Sequence, residues 1–320
     1  MKMGDVVLPA RTTDDGAPST MPCIKRDGVL IRGTFVSRPN RFLATVRLES
    51  WVEPDEGLAG RGAGWGCSAT WSGTRGDTSG STKGAAWCRD VSVHVADPGR
   101  LKELLVPGRT VYVTRAVGGS RGGPGGGSSL PGPGAARGGR RRASSRKTAY
   151  DLALVDLDGL LVSVDSRVPN ELVFAALGAG FFPDLAGYPE VQREYAYGES
   201  RIDFRLSGPL AADCLVEVKS VTLVRGGRAM FPDAPTARGA RHMQELARAA
   251  AEGLRAMVVF VIQRPDASSL SPNDDTDPTF GEALRAAARS GVKVRAYTCE
   301  TGIDRICLDQ EVPVILQAWV

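Results

Sequence analysis

Two neighbouring stretches, SRIDFRLSG at 200–208 and CLVEVKSVTL at 214–223, decide the fold and the chemistry of this chain. Their apolar and β-branched residues predict a pair of adjacent strands. Alternate residues of a strand point to the same face, so Glu217 and Lys219 are expected to share one face while their valine neighbours point into a core. The apolar residues of the first strand pack inward in the same way, which leaves Asp203 on the opposite face. Two carboxylates and an amine are therefore expected to converge at one edge of a sheet.

Phosphodiester hydrolysis requires this combination of groups. Carboxylate oxygens of Asp203 and Glu217 suit Mg²⁺ or Mn²⁺, which polarises a phosphoryl group and acidifies water. Lys219 can orient or deprotonate the attacking water, or stabilise the charge that develops. Glu194, on the preceding strand, is the candidate for a third metal-binding carboxylate, with an ordinary solvent-facing role as its alternative. For Glu217 and Lys219 the alternative is an exposed strand carrying a surface salt bridge.

A second polar cluster follows in FPDAPTARGARHMQEL at 231–246. Thr236 is a good helix N-cap, and Arg238, Arg241 and His242 follow it at helical spacing on one face. The free N–H groups and dipole of a helix N-terminus favour phosphate. These three residues are therefore predicted to bind a DNA phosphate, with a solvated or capping role as the alternative for His242.

The order of elements in the second half, assigned to a domain at 148–320, predicts a mixed α/β sheet with helices on its faces. Strands are expected at 150–157, 160–165, 192–197, 201–206, 214–219, 257–263 and 292–298, with helices at about 170–177, 237–252 and 279–290.

The first half predicts a small β-barrel of the OB type at 28–116. Strands are expected within 28–50 and at 91–95 and 110–114, with a short helix at 100–105. A Gly-rich stretch at 53–90 shows no periodicity and is expected to be a disordered insertion whose three tryptophans could stack on bases.

The net charge of +4 comes from one segment rather than from the whole chain. The Gly-rich linker at 117–147 holds seven of the 40 basic residues and no acidic residue, so the remainder carries 33 basic against 36 acidic residues. The linker can hold nucleic acid phosphates non-specifically, or it is a solvated insertion. Residues 1–27 are expected to be a flexible leader.

Cysteine spacing and hydropathy limit the classes of protein. Six cysteines lie scattered without a Cys-x-x-Cys pair, which argues against a disulfide or zinc framework and favours a reducing cytoplasm. No window approaches the roughly 18 apolar residues of a membrane helix, so no membrane association is expected. The glycine runs lie outside any strand-to-helix turn, which disfavours an enzyme acting on sugar metabolites through a phosphate loop.

The Asp…Glu-x-Lys arrangement resembles the signature of the PD-(D/E)xK nuclease fold. Further segments resemble the SfsA (sugar fermentation stimulation protein A) family, above all YGESRIDFRL (197–206), LVEVKSVTLV (215–224), FPDAPTARGARHMQEL (231–246) and VFVIQRPDA (259–267). The resemblance implies an OB-fold domain followed by a nuclease-like domain, DNA binding without sequence preference, and regulation of sugar (maltose) metabolism. The resemblance also places Asp203, Glu217 and Lys219 at the positions of the family's nuclease-like motif. The family turn often reads Asn-Thr-Gly, where this chain has Asp97-Pro98-Gly99.

Two hypotheses of function follow. In the first, the chain is a non-specific DNA-binding protein, and the candidate DNA contacts on the barrel are Arg38, Arg41 and Arg100. The alternative for each of these arginines is an ordinary solvated surface position. In the second, it is an active Mg²⁺-dependent DNA nuclease that uses Asp203, Glu217 and Lys219. The sequence leaves open the DNA target and whether the chain forms a homo-oligomer.

Overall fold

The computed structural model describes residues 21–26, 28–49, 89–116, 148–209 and 211–317. Most of the predicted insertion, the predicted linker at 117–147 and residues 1–20 of the predicted leader lie outside these described residues. The described chain forms a β-barrel and a larger mixed sheet flanked by helices.

Seven strands lie in the N-terminal part of the described chain, and five of them close into the barrel. They are β1 (Cys23–Lys25), β2 (Leu30–Asn40), β3 (Leu43–Leu48), β4 (Arg89–His94), β5 (Thr110–Arg115), β6 (Tyr150–Leu157) and β7 (Leu160–Ser163). All but β1 form one sheet in the order β4-β3-β2-β5-β6-β7, and a parallel pairing of β4 with β6 closes five strands on themselves. Inward residues such as Val46, Val93 and Leu152 are fully buried and fill the interior. The predicted OB-like barrel is confirmed.

The mixed sheet follows in the second half. Its elements are α1 (Val168–Gly178), β8 (Glu190–Tyr197), β9 (Ser200–Ser207), β10 (Cys214–Val221), β11 (Val224–Arg225), β12 (Arg228–Phe231), α2 (Ala237–Ala251), β13 (Arg255–Ile262), β14 (Ser269–Pro272), α3 (Pro278–Arg289), β15 (Lys293–Thr301) and β16 (Arg305–Glu311). Seven strands pair in the order β1-β16-β15-β13-β10-β9-β8, with β10, β13 and β15 parallel, while β11, β12 and β14 form a small separate sheet. The predicted mixed α/β domain is confirmed.

Helices cover both faces of this sheet, which is why its central strands are apolar on both sides. Alternate residues of β13 point to opposite faces: Phe260 packs with α2 and α3, whereas Val259 packs with α1. Thr236 caps α2, because its side chain accepts a hydrogen bond from the Gly239 N–H at 3.0 Å. The cap and the buried apolar stripe of α2 fix which residues of this helix face β10. None of the described helices has both the length and the apolar character that crossing a bilayer requires.

The last residues of the predicted leader belong to the mixed sheet. Strand β1 pairs antiparallel with β16 and places Cys23 opposite Cys307. These two cysteines form a disulfide across a sequence separation of 284 residues. The expectation that the cysteines form no disulfide is therefore wrong, because pairing of the two chain ends brings together residues that no local spacing connects.

Three further expectations need correction in the barrel. Strands β6 and β7 pair with β5 and with each other, so residues 150–163 belong to the barrel rather than to the domain expected from 148 onward. The helix expected at 100–105 is a turn, in which the Leu105 N–H donates to the Leu101 carbonyl and Leu101 has a φ of 47°. Residues 89 and 90, expected within the insertion, start β4.

The loop between β4 and β5 fastens the barrel to the mixed-sheet domain. Asp97 Oδ1 accepts the Gly99 N–H at 2.7 Å, and Asp233 Oδ2, from the loop before α2, accepts the Leu101 N–H at 3.2 Å. A Cβ atom on Gly99 would lie 2.3 Å from Asp233 Oδ2, so a side chain at this position would displace the carboxylate that accepts the Leu101 N–H. Glycine is the residue that allows this close approach.

Asp97→Asn is expected to stabilise the protein at neutral pH. Burial, with the nearby Asp233 carboxylate, raises the pKa of Asp97 from 3.8 to about 6. The folded protein therefore holds this proton more tightly than the unfolded chain, and stability falls as the pH rises from about 4 to about 6. Asparagine keeps the acceptor for Gly99 without the charge, so the gain at pH 7 is up to about 3 kcal/mol and vanishes near pH 4. Urea unfolding at several pH values measures it, with the exposed Asp304→Asn as control; an equal gain at every pH would contradict this explanation.

Candidate functional site

Glu217 and Lys219 lie side by side on β10, on the face that α2 covers. Their side chains share that face, as strand parity predicts, and Lys219 Nζ donates to Glu217 Oε1 at 2.7 Å. Glu217 is 2% exposed and Lys219 is 9% exposed. The alternative of an exposed strand with a solvated salt bridge therefore does not describe this pair, and a buried ion pair of this kind requires further polar partners.

Asp203 reaches the pair because β9 separates from β10 beside it. The pairing of the two strands ends at Phe204 and Val216. Beyond that point the Val218 N–H donates to Asp203 Oδ2 at 2.7 Å instead of to a β9 carbonyl. The carboxylate of Asp203 therefore occupies the opening between the strands, next to Glu217.

Asn170 is a site residue that the sequence did not reveal. It lies in the first turn of α1, and its Nδ2 donates to Asp203 Oδ1 at 2.7 Å. Only the packing of α1 on the sheet brings it there, because 33 residues separate it from Asp203 and no motif spacing links them. Both oxygens of Asp203 are thus oriented by hydrogen-bond donors, one from each side of the strand opening.

His242 and Arg238 complete the cluster from α2. His242 is 3% exposed, and its Nδ1 contacts Glu217 Oε1. Its Nε2 accepts a hydrogen bond from Arg238 Nε at 3.2 Å. Sequence spacing placed His242 on the correct helix and near the carboxylates, but as a phosphate ligand; in the structure it is buried against Glu217. Arg241 is exposed and lies outside this set of contacts.

The two carboxylates differ in acidity because their surroundings differ. Burial, together with the Glu217 charge, raises the pKa of Asp203 to about 6 against the hydrogen bond from Val218. Burial also acts to raise the pKa of Glu217, but Lys219 and His242 more than offset it and hold that pKa below its usual value. Carboxylates whose pKa values are shifted in opposite directions within one cluster are typical of functional sites.

The cluster suits a hard divalent cation. Glu217 Oε2 is buried and has no hydrogen-bond partner among the described residues, whereas Oε1 is held by Lys219. The described residues contain no group of three or more His, Cys, Asp or Glu side chains placed to hold a metal. A site formed by Asp203 and Glu217 alone fits Mg²⁺, which commonly binds through one or two carboxylates and completes its shell with water or substrate oxygens.

The structure does not bring Glu194 to this pair. Glu194 has a φ of 55° on the edge strand β8, and its side chain is 60% exposed. It lies 3.7 Å from Arg201 in a surface ion pair instead. The solvent-facing alternative therefore describes Glu194, while hydrogen bonds from Asn170 and from the Val218 N–H hold Asp203.

The three barrel arginines have different surroundings. Arg38 donates to the carbonyls of Arg41, Arg100 and Asp97, so it ties the loop between β4 and β5 to the barrel. Burial lowers the pKa of its guanidinium. Arg41 and Arg100 are exposed, with the Arg41 guanidinium 4.8 Å from the Phe42 ring centroid. Their contact with DNA stays a prediction, whereas Arg38 has a structural role in this loop.

Known proteins match both halves of the chain. Residues 167–305 match the family model described as the sugar fermentation stimulation protein RE domain, and residues 76–123 match the SfsA N-terminal OB domain. The sugar fermentation stimulation protein homolog of Symbiobacterium thermophilum is 43% identical over 291 residues, which is 89% of this chain and 95% of the relative. The homolog of Moorella thermoacetica is 39% identical over 288 residues, covering 90% and 97%.

A solved structure agrees with these matches. The structure of Pyrococcus furiosus SfsA in complex with Ca²⁺ superposes with a TM-score of 0.67 at 26% sequence identity, covering 93% of this chain and all of that one. Both domains, their order along the chain and the sequence identity agree, so the chain belongs to the SfsA (sugar fermentation stimulation protein) family.

Proposed function

We propose that this protein binds DNA without sequence preference and carries a nuclease-like divalent-cation site. The observation that supports it most is the buried cluster at the opening between β9 and β10. There Glu217, Lys219 and Asp203 meet, and one oxygen of Glu217 has no partner among the residues that the structure describes. A surface salt bridge needs no such burial, whereas phosphodiester chemistry needs these groups held in place.

Asp203 and Glu217 would hold Mg²⁺ or Mn²⁺, which when bound would polarise a phosphodiester. The Ca²⁺ named with the Pyrococcus furiosus relative is also a hard, oxygen-seeking divalent ion, and this supports the choice of cation class. Asn170 and the Val218 N–H would orient Asp203, and Lys219 would orient Glu217.

DNA is the partner whose phosphates suit both this cation site and the basic segment of the chain. The seven basic residues of 117–147 and the exposed Arg41 and Arg100 supply positive charge for phosphates. Phosphate contacts carry no base sequence information, so non-specific binding is expected. With the family's name, this supports a role in regulating sugar (maltose) metabolism.

A DNA partner supports a location in the cytoplasm. The disulfide is unusual for that compartment. Thiol labelling of protein from intact cells tests this placement, because a cytoplasmic chain should present Cys23 and Cys307 mainly as thiols.

Active cleavage is the second candidate function. The observation that favours it is the position of Lys219, whose Nζ is buried 2.7 Å from Glu217 Oε1 in the carboxylate cluster. A lysine held at such a place can stabilise the charge that develops on a phosphodiester during hydrolysis. Binding without cleavage requires no ammonium there.

The double variant Arg41→Ala/Arg100→Ala is expected to weaken binding to all DNA sequences alike. Each lost phosphate contact should lower the slope of log K against log salt concentration by about 1. Fluorescence anisotropy with two unrelated duplexes at several salt concentrations measures it, and Arg289→Ala, an exposed arginine of α3, is the control. An unchanged slope would remove these arginines from the interface, and strong preference for one duplex would contradict non-specific binding.

Calorimetry tests the cation site separately. Wild-type protein is expected to bind Mn²⁺, and Asp203→Asn or Glu217→Gln is expected to abolish that binding while leaving DNA affinity in place. Absence of Mn²⁺ binding to the wild type would overturn the cation site but not the DNA binding.

A further inference from the structure

We propose that His242 is a positioning residue for Glu217, and that Arg238 fixes the imidazole tautomer that this role requires. The proposal takes Glu217 as a cation ligand and in that part rests on the proposed function. It assigns a role to a buried histidine on a different element from the carboxylates.

The tautomer follows from the partners of the ring. An arginine guanidinium can only donate hydrogen bonds. Arg238 Nε donates to His242 Nε2 at 3.2 Å, so Nε2 must carry a lone pair. The proton of the neutral ring is then on Nδ1, which contacts Glu217 Oε1. Lys219 Nζ also lies 3.5 Å from Nδ1, but the ammonium can only donate, and its shorter hydrogen bond of 2.7 Å goes to Glu217 Oε1. Which nitrogen of a histidine carries the proton is set by the hydrogen bond of the other nitrogen. In water a neutral imidazole prefers the opposite form, with its proton on Nε2.

This proton decides which carboxylate oxygen is free. Glu217 Oε1 receives two donors, Lys219 Nζ and the His242 Nδ1–H, from two different elements. Glu217 Oε2 receives none among the described residues and is buried. The two donors therefore hold the carboxylate in one rotamer with Oε2 presented to the cluster beside Asp203.

The position of His242 on α2 keeps this arrangement rigid. The residue next to it, Met243, and Leu246 one turn later are fully buried in the core between α2 and the sheet. The Thr236 cap fixes the start of the helix one and a half turns before His242. A residue that only filled this core would be better as an apolar side chain, because burying a polar ring without hydrogen-bond partners costs free energy. The ring of His242 has such partners, a carboxylate on one side and an arginine on the other.

Nitrogen-15 NMR of the metal-free protein at pH 8 tests the tautomer directly. The chain has two histidines, His94 and His242, so a His94→Gln variant assigns the signals. A protonated Nδ1 and an unprotonated Nε2 in His242 are expected. A proton on Nε2, alone or together with Nδ1, would overturn the proposal. Arg238→Ala is expected to shift the ring toward the Nε2–H form, and a ring unaffected by this substitution would also overturn it.

Calorimetric titration with Mn²⁺ alone tests the positioning. His242→Ala is expected to weaken Mn²⁺ binding about 10- to 100-fold, the usual loss when a hydrogen-bond partner of a ligand is removed. His242→Asn is expected to restore most of the affinity, because its amide N–H can take the place of Nδ1–H. Gln244→Ala, exposed on the same helix, is the control and should bind like the wild type.

The outcomes separate this proposal from the proposed function. Equal affinity of His242→Ala and wild type, or failure of His242→Asn to recover affinity that His242→Ala has lost, would overturn the positioning role. If His242→Ala does not fold, the His242→Asn and Arg238→Ala variants carry the comparison. If the wild type binds no Mn²⁺, the cation site is overturned, and the NMR result alone decides the role of His242.

Discussion

Lys219→Met is expected to reduce Mg²⁺- or Mn²⁺-dependent cleavage of DNA at least about 100-fold, the range found when one group that stabilises developing charge is removed. Methionine keeps most of the apolar stem of lysine and removes the ammonium group. Glu217 still receives the hydrogen bond of His242, so one of its two donors remains. An interaction made only in the transition state lowers turnover without changing ground-state binding, and the affinity for DNA should stay within about threefold of wild type.

Conversion of supercoiled plasmid to nicked circles measures this effect. Lys25→Met is the matched control, since Lys25 is exposed on β1, at the opposite edge of the sheet from β8 and β9. Cleavage by Lys219→Met at the wild-type rate would remove Lys219 from the chemistry. If wild-type protein with either metal leaves the plasmid intact, the nuclease hypothesis fails while non-specific DNA binding can still hold.

Glu217→Ala is expected to lower the free energy of unfolding by about 3–5 kcal/mol, the cost of leaving one partner of a buried ion pair alone. The Lys219 ammonium would lose the carboxylate that lies 2.7 Å away and would stay almost fully buried. That Glu217 has a lowered pKa in spite of its burial shows how strongly its partners stabilise the charged form. Urea unfolding followed by circular dichroism measures the loss.

A double variant and a surface pair serve as controls for this stability prediction. Glu217→Ala/Lys219→Met removes both charges and should be less destabilised than the sum of the single variants, because no unpaired charge remains. Glu49→Ala breaks the exposed pair with Arg32 and should cost at most about 1 kcal/mol. If Glu217→Ala costs no more than the surface variant, water must reach Lys219 freely.

Local rules predict a large part of this site. Strand alternation places Glu217 and Lys219 on one face, and it also leaves Asp203 directed toward them, because period-2 patterns hold wherever a strand has a buried side. Helical spacing in the same way places His242 on the correct side of α2. Such patterns fix which residues share a face but not what lies opposite that face.

The remaining features depend on contacts that no short pattern encodes. Asn170 contacts Asp203 only because α1 packs on the sheet, and the burial of His242 depends on the distance between α2 and β10. Strand alternation does not predict the position of the Glu194 side chain, because the backbone of this residue takes a positive φ. The pairing of Cys23 with Cys307 joins the two ends of the described fold, and six scattered cysteines offer fifteen pairs from which to choose.

The bond between Cys23 and Cys307 turns most of the chain into a covalent ring. Any single peptide cleavage between those residues, whether within 53–88 or within 117–147, opens the ring without dividing the molecule. The strands of the barrel and of the mixed sheet then remain one particle of unchanged mass apart from the added water. Two fragments separate only after reduction, so a protease that cuts once leaves the barrel and the carboxylate cluster tethered to each other.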